Sequence, residues 1–122
     1  SPIKENLLSI TELAKLRQVT SETLRYYDRI GLITPDYVDP QTRYRYYSIR
    51  QYEKLGTIKE LRQLGMSIHD ITDYFSGRNL RKSHQLLLHQ LELLEEEIRK
   101  QQLLSEILRR KLHFLSEILS LI

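Results

Sequence analysis

Arginine and tyrosine recur together twice in this chain, as Leu24-Arg-Tyr-Tyr-Asp28 and as Arg43-Tyr-Arg-Tyr-Tyr47. A guanidinium is a permanent cation whose planar fork of donors matches phosphate oxygens and guanine edges. A phenol adds an apolar ring with a hydroxyl that reaches a polar partner. At this density the two residue types are suited to recognising a polyanion rather than to making or breaking bonds. Histidine offers little for catalysis: His69, His84, His89 and His113 have no ligand spacing and no carboxylate partner suggesting a metal site or a triad. The four glycines form no phosphate-cradling loop. The chain has no cysteine, which excludes disulfides, thiolate metal sites and thiol redox sensing within it. We therefore expect no enzyme, no metal and no cofactor.

The elements that must position these side chains can be read from caps and breakers. Thr20 can cap a helix from Ser21 to about Ile30, which Gly31 can end in a left-handed conformation. Leu24 and Ile30 would face a core. Ser21, Thr23 and Arg25 would face outward near the N-terminal end, followed by Tyr26 and Tyr27. Such a helix can present its N-terminus to phosphates and its side chains to a major groove, although a surface helix with ordinary polar decoration fits this stretch equally well. Upstream, Ser9-Ile-Thr-Glu12 matches a capping box opening a short helix with Ile10, Leu13 and Ala14 on one face. Two short helices joined by a tight turn make a helix-turn-helix pattern.

Pro35 and Pro40 forbid a continuous helix after Gly31. Asp39-Pro-Gln-Thr42 is turn chemistry between two β-prone pieces, Tyr37-Val38 and Tyr44 to Tyr47, which predicts a small hairpin or wing. Alternation along the second strand puts Arg43 and Arg45 on one side and Tyr44 and Tyr46 on the other. The arginines can then follow a phosphate backbone while the rings pack on the helices behind, with Tyr46 or Tyr47 in the core. Ser48 can cap a helix to about Leu64, with Tyr52, Leu55, Ile58 and Leu61 inward and Gly65 as its stop. Ser67-Ile-His-Asp70 opens another helix to about Ser76, with Ile68, Ile71, Tyr74 and Phe75 inward and Gly77 as its stop. Arg62 lies on the outer surface of this second helix pair, and its Ser67 end is free to meet another phosphate.

Composition separates a front from a back. The 122 residues carry 19 Lys and Arg against 16 Asp and Glu, for a net charge of +3, which is compatible with nucleic acid without demonstrating it. Placement says more. Between Arg43 and Arg62 there are six basic residues and two acids, and all eight tyrosines precede residue 75. From about Leu80 to Ile122 there is neither Pro nor Gly, and apolar residues recur at alternating steps of three and four. This is a coiled-coil seam: His84, Leu87, Leu91, Leu94, Ile98, Gln101, Ser105, Leu108, Leu112, Leu115, Leu119, Ile122, sustained for roughly five heptads. A helix of roughly 60 Å with such a stripe needs a partner. Folded against an identical antiparallel copy about its polar centre, Gln101 meets Ser105, Ile98 meets Leu108, and Leu94 meets Leu112. Glu95 and Glu97 then lie near Arg109 and Lys111, whereas parallel pairing puts like beside like. We expect an antiparallel homodimer. A second stripe, Leu104, Ile107, Phe114, Ile118 and Leu121, should pack on the partner's head or on a domain outside this chain.

The expected architecture is mainly α, with a winged helix-turn-helix head over residues 1–77 and one coiled-coil dimerisation helix over 78–122. No apolar run reaches membrane-spanning length and no signal peptide precedes Ile3, so a cytoplasmic location is the default. A protein–protein adaptor working through its coiled coil is the alternative from another class; salt-sensitive duplex binding separates the two.

Taken together, Leu24-Arg-Tyr-Tyr-Asp28, Gly31-Leu32, the stretch Pro35-Asp-Tyr-Val-Asp-Pro40 with Arg43-Tyr-Arg-Tyr-Tyr47, Leu61-Arg-Gln-Leu-Gly65 and the terminal coiled coil resemble the MerR family of bacterial transcription regulators. The likeness covers nearly the whole chain and points to the multidrug-responsive branch that includes BmrR and Mta. It implies a dimer bound to a pseudo-palindrome in a promoter with an overlong spacer, which it bends and untwists so that both promoter elements face RNA polymerase. By that resemblance Arg25 and Tyr26 correspond to DNA-contacting residues of the recognition helix, with Ser21, Thr23 and Tyr27 as further transfers. Tyr37 and Arg45 correspond to wing contacts and Arg62 to a phosphate contact. Metal- and redox-sensing members use cysteines that are missing here. Multidrug members carry an effector domain after the coiled coil; the apolar end and missing Met lead us to expect a fragment of a longer regulator without that domain.

Overall fold

The computed structural model describes residues 6–122 and divides into two units, a head that ends at Leu80 and a helical unit that begins at Arg81. The head contains β1 (Leu8–Ser9), α1 (Ile10–Arg17), α2 (Ser21–Arg29), β2 (Tyr37–Val38), β3 (Arg45–Tyr47), α3 (Ile49–Gln63) and α4 (Ile68–Ser76). Helix α5 (Leu80–Leu121) follows. The fold is mainly helical with a small antiparallel sheet in the order β1-β3-β2.

The starts and stops of the helices follow from local chemistry. Ser9 and Glu12 form a reciprocal capping box: the Glu12 N–H donates to Ser9 Oγ at 3.1 Å, and the Ser9 N–H donates to Glu12 Oε1 at 2.8 Å. The Ser9 N–H bond first, and the Ser9 hydroxyl second, hold the Glu12 carboxyl below its usual range. Thr20 Oγ1 accepts from the Thr23 N–H at 3.0 Å and Ser67 Oγ from the Asp70 N–H at 3.0 Å, satisfying otherwise orphaned amides at two more helix starts. At the end of α2, the Leu32 N–H reaches back to the Tyr27 carbonyl at 2.9 Å and the Gly31 N–H to the Asp28 carbonyl at 3.1 Å. This pairing requires a left-handed residue, which Gly31 supplies at φ 76°. The same closure ends α1, where Gln18 takes the left-handed position at φ 56°.

Ile30 is exposed rather than inward: it caps α2 outside the helix, and Leu32 and Ile33, both 2% exposed, fill the core in its place. The core otherwise draws on every helix of the head, with Leu13, Leu24, Leu55, Ile58, Leu61, Met66 and Ile71 buried around Tyr47. Arg17 ties α1 to α3. Its Nε donates to the Tyr52 carbonyl at 2.9 Å while its guanidinium lies 3.7 Å from the Tyr52 ring centre, a close cation–π geometry.

Sequence reasoning missed β1, which pairs Leu8 with Tyr47 and Ser9 with Tyr46 and makes β3 the central strand. The second strand also faces the opposite way from the expected one. Tyr47 is fully buried, so Arg45, two residues before it, shares the face that meets the helices. Tyr44, expected behind the strand, is 65% exposed.

Helix α5 is continuous over 42 residues, about 63 Å at 1.5 Å per residue. Its seam is largely open in the single chain: Leu91, Leu94, Ile98, Leu108, Leu112, Leu115 and Leu119 are all exposed, and Leu87 is half-buried. No helix among the described residues is long and apolar enough to cross a membrane.

Candidate nucleic-acid interface

Helix α2 presents two kinds of surface. Glu22, Arg25, Tyr26 and Arg29 are exposed, while Leu24 and Tyr27 are buried. Tyr27 therefore departs from its expected place among the contact residues. One helical step beyond Tyr26, its ring enters the core at 8% exposure. Burial pushes its phenol pKa up, with the Arg62 charge opposing that shift. Ser21 and Thr23 are half-buried, and Thr23 Oγ1 lies 2.9 Å from Thr20 Oγ1, so that hydroxyl already takes part in the helix cap.

The wing hairpin joins α2 through charge. Tyr37 pairs with Tyr46 and Val38 with Arg45, and the Tyr37 and Tyr46 rings pack at 6.0 Å between centres. Asp39 builds the loop: its Oδ1 accepts from the Gln41 N–H at 2.9 Å and the Thr42 N–H at 3.2 Å, an Asx turn. Arg43 then adopts a left-handed φ of 66°, a conformation costly for a residue with a side chain. Arg45 Nε donates to Asp28 Oδ2 at 3.1 Å and so links β3 to α2.

These elements enclose an open cleft of about 630 Å³ in which Arg25, Arg43 and Arg45 converge with Tyr44, Tyr46 and the first residues of α1. No carboxylate is among its lining residues. Three arginines lining one open cleft make a field suited to phosphate. Tyr26 lies outside this cleft, in a shallower one with Thr20, Glu22, Thr23 and Arg29, where the Arg29 guanidinium is 5.7 Å from its ring centre. Arg62 and Ser67 share the turn between α3 and α4: Arg62 Nη1 donates to the Met66 carbonyl at 3.0 Å, and Ser67 caps the helix that follows. The structure thus gathers three of the expected residues into one cleft and places Arg62 and Ser67 at another turn.

Arg29 and Tyr44, not among the expected contact residues, are exposed on these surfaces. Arg29 follows Arg25 by one helical turn, and that spacing was signal enough. Tyr44 was hidden by the reversed strand face. Among the described residues no group of His, Asp and Glu side chains is placed to hold a metal ion.

Comparison with known proteins finds relatives of this sequence and fold. Residues 8–78 match the model of the MerR HTH family regulatory protein. The multidrug-efflux transporter 1 regulator of Bacillus subtilis is 37% identical over 114 residues, covering 93% of this chain and 36% of that protein. The chain therefore spans little more than a third of that relative's length. Among solved structures, the EcmrR–DNA complex in EcmrR-RPo is 32% identical with a TM-score of 0.60, covering 90% of this chain and 39% of that one. MtaN, the N-terminus of the Bacillus subtilis multidrug transporter activator, superposes with a TM-score of 0.62 at 24% identity, over 86% of this chain and 97% of that one, and so shares the fold.

Proposed function

The chain belongs to the MerR family of helix-turn-helix regulatory proteins, and from that premise we propose that it binds double-stranded promoter DNA as an antiparallel homodimer. The observation that carries the reading is the cleft between wing and α2, where Arg25, Arg43 and Arg45 converge without a lining carboxylate. Arg25 and Tyr26 would enter the major groove from α2, with Ser21 and Thr23 beside them at the helix start and Arg29 extending the same face. Arg43, Arg45 and Tyr37 would track the sugar-phosphate backbone along the wing, and Arg62 with the Ser67 helix start would hold a second stretch of it. Tyr27 supports α2 from beneath instead of touching DNA.

Two heads joined through α5 would read two half-sites of a pseudo-palindrome, and distortion of the spacer between them would control access of RNA polymerase to the promoter. The residues described here would supply DNA binding and dimerisation rather than inducer recognition. Selection of bound duplexes from a random pool should enrich inverted half-sites. The log affinity for the selected duplex should fall linearly with log salt, by a slope of about 0.9 for each phosphate neutralised. A pool that shows no enrichment, or binding indifferent to salt, would overturn the proposal.

A further inference from the structure

We infer that Asp28 is a positioning residue for DNA binding: it orients the Arg45 guanidinium on the wing for a phosphate, although its own charge repels one. The inference rests on the reading above and deepens it. Asp28 lies on α2 and Arg45 on β3, 17 residues apart, and the Nε–Oδ2 bond at 3.1 Å is a polar link between the recognition helix and the central strand of the sheet. Both side chains are partly shielded, at 37% and 26% exposure for Arg45 and Asp28. Below them lies the fully buried Tyr47, whose phenol feels burial first and then the charges of Asp28, Arg45 and Arg25. Arg45 therefore sits on a rigid base with its Nε held, and its guanidinium lines the cleft shared with Arg25 and Arg43.

Two effects of the carboxylate oppose one another. It cancels part of the Arg45 charge and repels DNA, which weakens binding. It also fixes a side chain that otherwise loses its rotamer freedom only on binding, which strengthens it. As a source of stability such a half-exposed pair is weak. Its geometry instead favours orientation, because a bond at Nε restricts the guanidinium and leaves the edge formed by its two Nη groups for a phosphate.

The sign of one substitution decides between them. Asp28→Asn keeps the shape, removes the charge and leaves a neutral amide oxygen as a weaker acceptor for Arg45 Nε. If charge alone governs, Asp28→Asn binds a fluorescein-labelled duplex of mixed sequence more tightly than the parent. If Asp28 positions Arg45, the variant binds about two- to tenfold more weakly, the cost of ordering one long side chain. In an Arg45→Ala background that loss should vanish. Arg45→Lys provides a second route should Asp28→Asn fold poorly by circular dichroism: the charge stays but the Nε anchor is lost, so binding should weaken by a similar factor. Equal or tighter binding by Asp28→Asn, an equal loss with and without Arg45, or parental affinity for Arg45→Lys would each overturn the inference while leaving DNA binding itself intact. A parent that does not bind the duplex would instead overturn the functional reading, and this inference with it.

Discussion

Tyr47 shows how a single residue sets the site. It is fully buried, and its hydroxyl has no hydrogen-bond partner among the described residues. Burial, reinforced by the Asp28 carboxylate and opposed by Arg45 and Arg25, raises its phenol pKa above the ordinary 10.0. A raised pKa contributes stability that is complete below the unfolded value and lost as pH rises through the folded one. The parent should therefore lose stability progressively above about pH 10. Tyr47→Phe should lose less there, and near neutral pH should match or exceed the parent by up to about 1 kcal/mol, since it removes an unsatisfied buried hydroxyl. Urea unfolding at several pH values measures both; a variant weakened by several kcal/mol at neutral pH would show that the hydroxyl has a partner after all. Sequence alone showed that Arg and Tyr alternate along this strand. It could not show which set faces inward, because either set includes a tyrosine and the burial of Tyr47 is a tertiary contact that alternation alone does not specify.

At the scale of the element, helix starts and stops were legible because they depend on neighbours in sequence. Ser9 with Glu12, Thr20 and Ser67 stand where their side chains must, and Gly31 ends α2 as its chemistry demands. Tertiary placement was less legible. Ile30 looked apolar enough for the core, but α2 stops at Arg29 and the turn delivers Leu32 and Ile33 instead. The two equivalent helix closures permit a paired test. Gly31 and Gln18 both take left-handed φ, at 76° and 56°, and a Cβ on Gly31 would meet no atom within 4 Å. Strain alone is thus at issue, roughly 1 kcal/mol or more for a residue with a side chain, against the smaller entropic cost of glycine. Gly31→Ala should destabilise the head by about 1 kcal/mol and Gln18→Gly should stabilise it by about 0.5 kcal/mol. Chemical denaturation reports each, and two changes of the same sign would refute the account.

At the scale of the whole molecule the proposed dimer turns on how two copies of α5 lie together. The seam exposed along this 42-residue helix calls for a covering partner, and the partner we propose is a second identical helix, whose pattern fits it. Antiparallel pairing about the centre at Gln101 and Ser105 brings Glu95, Glu96 and Glu97 of one copy opposite Lys111, Arg110 and Arg109 of the other. Parallel pairing stacks each run on itself. Exposed pairs contribute only about 0.2–1 kcal/mol each, yet all three favour one orientation, and the apolar layers are satisfied in both. In the proposed antiparallel pairing charge would decide the direction while the leucines would supply the affinity. The absence of native cysteine makes the orientation directly measurable. Ile98→Cys and Leu108→Cys variants, each mixed with the other and oxidised, should give the mixed disulfide dimer, because position 98 faces position 108 across an antiparallel seam. Each variant oxidised alone should crosslink poorly, its two thiols being held on opposite sides of the centre, about 15 Å apart along the helix axis. Efficient self-crosslinking of Ile98→Cys with no mixed product would mean parallel helices. That result would also place both heads at one end of the coiled coil, where they could not address two inverted half-sites in the manner proposed.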